Sequence, residues 1–244
     1  MLQTRSRDEE QMDSAELDAA TYARVLHDLA RINRWTFTAH PLLAFLERAA
    51  AGLTRFRLLD VGFGEGDLLR RVARWSKQRG IAASLIGVDL NPRSAGIARA
   101  ATPPGMPIDY LTGDYQDLPG KFDFVVSSQV THHMTDVQLF DFLHFMERRA
   151  ECGWLISDLH RHAFAYRGFP LLARLLGVHR IVREDGQLSI ARSFRPDEWR
   201  AILGATGLPM DQISIVRRFP FRLAVERVRP RVAELKPLRQ RRSA

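Results

Sequence analysis

Residues 60–66, Asp-Val-Gly-Phe-Gly-Glu-Gly, constrain this chain more than any other stretch. They follow a short apolar run at residues 56–61 and precede a segment in which Leu68, Leu69, Val72 and Trp75 share one helical face. The order is strand, glycine turn, helix. Glycines at such a turn let the backbone approach a ligand at the carboxyl edge of a sheet. A dinucleotide fingerprint needs Gly-x-Gly-x-x-Gly, whereas here the third glycine arrives one residue early, and no Gly-Lys-Ser/Thr follows to make a phosphate loop. Asp60 and Glu65 also place carboxylates beside the turn, which would repel a pyrophosphate but suit a ligand carrying an ammonium and a sulfonium.

The alternation continues downstream. Residues 84–88 read as a strand, 94–101 as a helix, 109–111 as a short strand and 122–127 as a buried strand. Thr135 or Asp136 caps the next helix, with Leu139, Phe142, Leu143 and Met146 as its apolar stripe, and residues 153–157 form a fifth strand. Strands alternating with helices predict an α/β fold with a mostly parallel sheet covered on both faces. Upstream, Tyr22, Val25, Leu29, Ile32 and Trp35 recur at helical spacing, and the pattern resumes after Pro41 as far as residue 51. An N-terminal helical lid over residues 1–50 is therefore expected, ahead of a main domain over 51–229. Residues 163–178 begin an amphipathic insertion, or cap, that extends to 193, within which Asp185-Gly186 reads as a turn. Pro196 opens a helix ending at Gly207, residues 213–217 and 221–228 form a closing hairpin, and 230–244 make a poorly ordered basic tail.

Four segments, in this order, resemble the class I S-adenosylmethionine-dependent methyltransferases, whose first motif Asp-x-Gly-x-Gly-x-Gly matches residues 60–66. Gly87-Val88-Asp89 ends the second strand with an acid, Gly113-Asp114-Tyr115 is similar to the adenine-contacting turn, and Phe122-Asp123-Phe124-Val125-Val126-Ser127 is similar to the fourth-strand motif. The resemblance covers roughly residues 50–160. It implies a Rossmann-like seven-stranded sheet with S-adenosylmethionine as cofactor and S-adenosylhomocysteine as product. It further implies that Asp60, Gly62, Phe63, Gly64 and Gly66 hold the cofactor along the turn, Asp89 and Leu90 its ribose side, Asp114 and Tyr115 its adenine, and Ser128 the end of the fourth strand. The plainer alternatives are a tight turn at 60–66, a helix cap at Asp89 and an ordinary turn at Asp114.

The same resemblance puts acceptor-side groups after strands four and five. Those positions hold Thr131-His132-His133 and Asp158-Leu159-His160-Arg161-His162, four of the chain's eight histidines. His132 or His133 as general base with Asp158 orienting it would contribute about 10² to 10⁴ in rate. His160 and Tyr166 are expected at the substrate. No metal is expected, because the spacing matches no standard ligand pattern. The apolar insertion, with Phe164, Tyr166, Phe169, Leu171 and Leu172, favours a small apolar or aromatic hydroxyl acceptor such as a phenol, quinol or polyketide, and the whole resembles the methyltransferases of quinone and polyketide pathways. Two rivals remain: an RNA methyltransferase, and a cofactor-binding interaction protein without catalysis.

Charge bears on the first rival. The net charge is +8, yet residues 217–244 hold ten basic and two acidic residues, so residues 1–216 carry 26 of each sign. Only the tail could serve a polyanion, by nucleic-acid backbone contact or by peripheral contact with an anionic membrane. After the fourth strand the chain reads Ser127-Ser128-Gln129-Val130 rather than the Asn/Asp-Pro-Pro-aromatic of nucleic-acid amino-methyltransferases, so a small-molecule partner is expected and nucleic acid is not. Cys152 is the single cysteine, which excludes an intramolecular disulfide. Charges fill residues 1–14 where a signal peptide would be apolar, and the apolar stretches fall short of the roughly 20 residues of a span. A cytoplasmic location is expected. Oligomeric state has no sequence signal.

Overall fold

Alternate residues of the central strands turn to opposite faces, and both faces are apolar, which is what forces helices onto each side. The computed structural model describes residues 2–14 and 16–229. Its elements are α1 (Ala19–Trp35), α2 (His40–Ala49), β1 (Arg55–Val61), α3 (Asp67–Gln78), β2 (Ala82–Asp89), α4 (Pro92–Ala100), β3 (Ile108–Thr112), β4 (Phe122–Ser128), α5 (Asp136–Arg149), β5 (Ala150–Leu159), α6 (Ala163–Leu175), α7 (Arg180–Arg192), α8 (Pro196–Ala205), β6 (Ile213–Arg218) and β7 (Arg222–Val228). The seven strands form one sheet in the order β3-β2-β1-β4-β5-β7-β6, parallel except for β7, which runs antiparallel to β5 and β6. The order reverses between β1 and β4. A crevice opens at such a point, outside the carboxyl ends of the strands.

Leu58, Phe124, Val126 and Leu155 pack with α2, α3 and α4 on one face, while Leu59, Val125, Trp154 and Ile156 pack with α5 and α8 on the other. A third apolar cluster, Val25, Ile32, Ala173, Val178, Ile181 and Val182, ties α1 to α6 and α7 beside the sheet. Capping follows the local chemistry: Asp18 accepts from Thr21 N–H at 2.9 Å, and Thr135 with Gln138 forms a reciprocal capping box at α5. Among the described residues no helix is long and apolar enough to cross a membrane. The tail expected at 230–244 lies outside the described residues.

One expected turn is a helix. Asp185 and Gly186 sit inside α7, because the Asp185 carboxylate is captured by the N–H groups of Gln11 and Met12 at 3.0 and 2.8 Å, and Gly186 lies under the Phe169 ring. A Cβ at position 186 would stand 2.3 Å from Phe169 Cε1. Gly to Ala inside a helix ordinarily gains about 0.5–1 kcal/mol. Here the overlap, about 1–3 kcal/mol, should win. Gly186→Ala is expected to lower the melting temperature, and adding Phe169→Ala should abolish that penalty; a Gly186→Ala protein melting higher than the parent would contradict the packing described.

Candidate active site

A cavity of about 550 Å³ occupies the crevice, within the range of small-ligand sites. Gly62, Phe63, Gly64 and Glu65 line one end together with Asp89, Leu90, Tyr115 and Ser128. The turn is braced from below. Gly62 has φ +79°, its N–H donates to Val88 O at 2.8 Å, and a Cβ there would meet Val130 Cγ2 at 2.3 Å. Gly64 N–H donates to Asp89 Oδ2 at 3.0 Å while Asn91 N–H donates to Oδ1 at 2.9 Å, so the acid ending β2 holds the turn in place. Burial raises the Asp89 carboxyl above its usual range against those bonds. Gly66 caps α3, Leu90 overhangs the cavity at 71% exposure, and Tyr115 packs edge-on against Phe142 and Phe145.

Asp60 lies behind this end. It is 1% exposed, and neither carboxylate oxygen has a hydrogen-bond partner among the described residues. Burial, with the charges of Asp67 and Asp89 adding to it, pushes its pKa up to about 8. Ser128 Oγ is also buried without a partner among the described residues. Asp114 stands apart from the cavity lining: its carboxylate accepts from Gln116 N–H at 2.9 Å.

The other polar pole is built from β4, β5 and the N-terminal strap of residues 2–14. A single helical turn, Thr131–His133, follows β4, and the Asp158 carboxylate at the end of β5 organises it. Asp158 Oδ2 accepts from Thr131 Oγ1 at 2.5 Å and His132 N–H at 3.0 Å, and Oδ1 lies 2.8 Å from His132 Nδ1. On its other side His132 Nε2 is 3.5 Å from Glu10 Oε1. Burial alone would lower the His132 pKa, but the charge and hydrogen bond of Asp158, then those of Glu10, push it up to about 9. Burial would raise Asp158, and the charge and hydrogen bond of His132 bring it down to about 2. Against burial, Glu10 is likewise held below its usual value by His132 and His133. His133 is half-buried, with Nδ1 3.0 Å from Asp13 Oδ2 and Nε2 3.8 Å from Glu10 Oε1.

His132 and His133 thus line the cavity with Asp158 behind them, the His-carboxylate pair expected from the sequence. His160 and Tyr166 do not reach it. His160 N–H donates to Phe221 O at 2.9 Å, and burial, reinforced by the charge of His162 and nearby arginines, lowers its pKa to about 4. Tyr166 borders a separate cavity with Ser6, Asp8 and Glu184, because α6 turns Phe164, Ala165, Gly168, Phe169 and Leu172 inward instead. Glu10 and Asp13 went unread as site residues. Their only sequence signal was an acidic run at the start; the strap reaches the site through Ser189 Oγ, which donates to Glu10 at 2.8 Å, and through Arg5, which donates to Arg192 O at 2.7 Å and lies over the Phe194 ring.

Comparison with known proteins points to the same chemistry. A methyltransferase-domain model matches residues 58–153, the part that carries the glycine turn, Asp89 and β4. The chain thus carries a methyltransferase domain over residues 58–153, and it is similar to the class I S-adenosylmethionine-dependent methyltransferases. The ubiquinone biosynthesis O-methyltransferase of Azorhizobium caulinodans is 29% identical over 178 residues, which are 68% of this chain and 64% of that protein. The namesake from Rhizobium rhizogenes is 35% identical over 97 residues, 38% of this chain and 37% of the other. The chain therefore spans less than two thirds of the length of these relatives. Among solved structures, magnesium protoporphyrin IX methyltransferase from Synechocystis with bound S-adenosylhomocysteine superposes with a TM-score of 0.54 at 21% identity, covering 89% of this chain and 90% of the other. Human N-acetylserotonin methyltransferase with S-adenosylmethionine gives 0.59 at 16% identity, covering 86% and 56%. These two share the fold.

Proposed function

We propose that this protein binds S-adenosylmethionine at the glycine-turn end of the cavity and methylates the hydroxyl oxygen of a small, largely apolar acceptor held at the other end. The observation that carries the reading is the polar pole of Glu10, His132 and His133 set into a mostly apolar wall that includes Leu29, Ile32, Phe164, Phe169, Leu172 and Ile190. An acceptor with one reactive hydroxyl on an apolar body fits such a wall. The residues fit the cofactor as well. Buried carboxylate oxygens without partners are costly in an isolated protein, and a ligand's positive charge nearby would offset that cost at Asp60. Asp89 and Leu90 would hold the ribose side, Tyr115 the adenine, and Ser128 Oγ would find its missing partner.

The bound cofactor supplies a methyl group on a sulfonium, and the protein's part is to orient the acceptor, exclude water and take a proton. The two histidines differ in this role. His132 is held between two carboxylates with its pKa at about 9, so near neutral pH it is already protonated. His133, with Nδ1 tied to Asp13 and its ring among the cavity-lining groups, would be the one to receive the acceptor's proton. The ubiquinone O-methyltransferase relatives support an oxygen acceptor of phenol or quinol type. A methyl-release screen over phenols, quinols and hydroxy acids tests the reading; turnover on amines alone, or cofactor binding without turnover on any acceptor, would defeat it.

The basic tail separates this proposal from the RNA reading. Truncation after Arg229 is expected to leave turnover on a soluble hydroxyl acceptor unchanged, because both poles of the cavity, at residues 62–65 and at Glu10, His132 and His133, are built without the tail. Loss of activity on truncation, with affinity for RNA that falls steeply with salt before it, would favour the nucleic-acid enzyme instead.

A further inference from the structure

Three side chains at the acceptor pole each turn one ligand-type atom toward a common point. A carboxylate oxygen of Glu10 and ring nitrogens of His132 and His133 lie within 4.8 Å of one another. The Nε2 atoms of His132 and His133 stand 3.5 and 3.8 Å from Glu10 Oε1. Ligand atoms about 2.0–2.1 Å from a tetrahedral cation are roughly 3.3 Å apart, so a small inward movement would close this set around an ion. We propose that Glu10, His132 and His133 form a site for one divalent transition-metal cation of the zinc type, with its open coordination position facing the acceptor cavity.

The surroundings argue for this beyond the three ligands. Each imidazole has its Nδ1 against a carboxylate, His132 on Asp158 at 2.8 Å and His133 on Asp13 at 3.0 Å. That pairing holds a ring in the tautomer that leaves Nε2 free to ligate, and carboxylate–histidine–metal chains are built in this way. The local charges agree. Glu10, Asp13 and Asp158 are three carboxylates around two imidazoles; the cations beside them are Arg192, whose Nε is 4.0 Å from Glu10 Oε1 and donates to His132 O, and Arg5, which donates to the same carbonyl and to Arg192 O. A dication would take the place of the proton that His132 otherwise holds between Asp158 and Glu10. Ser189 Oγ donates to Glu10 Oε1 and fixes the carboxylate beside the two rings. Two imidazoles and one carboxylate suit zinc far better than magnesium, which prefers an all-oxygen shell. Adjacent histidines joined by a distant glutamate match no sequence spacing, so a pattern search passes over the site.

The role of the cation rests on the acceptor proposed above. A hydroxyl in the open position would bind through oxygen and become more acidic. Its O–H bond breaks and the proton passes to solvent; the oxygen then bonds to the methyl carbon as the C–S bond breaks, its electron pair staying on sulfur. In the metal-loaded protein His133 is a ligand, and the acceptor needs no separate base.

The test uses untagged full-length protein, stripped with a chelator and titrated with Co²⁺, without cofactor or acceptor. One equivalent is expected to bind with a visible absorption band, which Zn²⁺ displaces. His133→Ala and Glu10→Gln should each weaken Co²⁺ by at least about tenfold. Asp13→Asn, which removes no ligand, should weaken it about ten- to a hundredfold. Circular dichroism checks the fold of each variant, and if Glu10→Gln loosens the strap, the other two suffice. Failure to take up a stoichiometric ion, or uptake indifferent to these substitutions, overturns the site. Uptake without methylation of any hydroxyl acceptor would leave the site and remove the acceptor reading; methylation that depends on His133 in a protein that binds no ion would do the reverse.

Discussion

Alanine at position 133 is expected to lower kcat by at least about a hundredfold while S-adenosylmethionine affinity stays within about twofold, the signature of a group that acts only in the chemical step. His133 is only half-buried, so the fold should survive its loss. His132→Ala should behave differently. Removing the imidazole leaves Glu10 and Asp158, both almost fully buried, without the group between them, and stranding one side of a buried ion pair costs about 3–5 kcal/mol. The first readout of His132→Ala is therefore a large drop in melting temperature, and the first readout of His133→Ala is a loss of rate. Full turnover in His133→Ala would show that the acceptor neither loses its proton to this residue nor depends on it as a ligand. A His132→Ala protein with parental stability would mean that the two carboxylates do not need their partner.

That contrast could not be read from Thr131-His132-His133 alone, because what separates the two rings is the strap. Asp13 and His133 are 120 positions apart, and no local pattern links an acidic start to a turn after the fourth strand. The glycine turn, by contrast, was legible because everything that shapes it is local: a strand ending at Val61, left-handed angles at Gly62, Gly64 and Gly66, and a helix starting at Asp67. The alternation of β2 to β5 with their helices was legible for the same reason. Two misreadings had a signal that was passed over. In α6 the apolar positions Phe164, Gly168 and Leu172, with Ala165 and Phe169, already define the inward face, and Tyr166 falls off it. Asp185-Gly186 looks like a turn dipeptide, but the run from Arg180 to Arg192 is long enough for a helix, and tertiary contacts with Gln11, Met12 and Phe169 decide for it.

Asp89→Ala is expected to weaken S-adenosylmethionine binding by about ten- to a hundredfold, since a charge-assisted hydrogen bond contributes about 1.5–3 kcal/mol and Asp89 also braces Gly64. Asp60 should reveal itself through protons rather than through affinity alone. In the free protein its carboxyl is protonated below about pH 8. For an acid whose pKa is raised by folding, the folded state holds a proton that the unfolded chain has lost, so its contribution to stability falls as pH rises from about 4 to about 8 and is level above that. A ligand bearing an ammonium reverses the preference by favouring the carboxylate. Binding near pH 7 should therefore release up to one proton at Asp60, and affinity should rise with pH until about 8. Calorimetry in buffers of different ionisation heat measures that proton. Asp60→Asn is the control for protons exchanged by the ligand's own amine: it should remove the Asp60 share, weaken binding, and yet melt higher than the parent at about pH 8.5, where the parent must bury a charge without a partner. Identical proton release in the parent and in Asp60→Asn would show that Asp60 is already ionised or does not face the ligand's charge, and its two orphaned oxygens would then need another explanation.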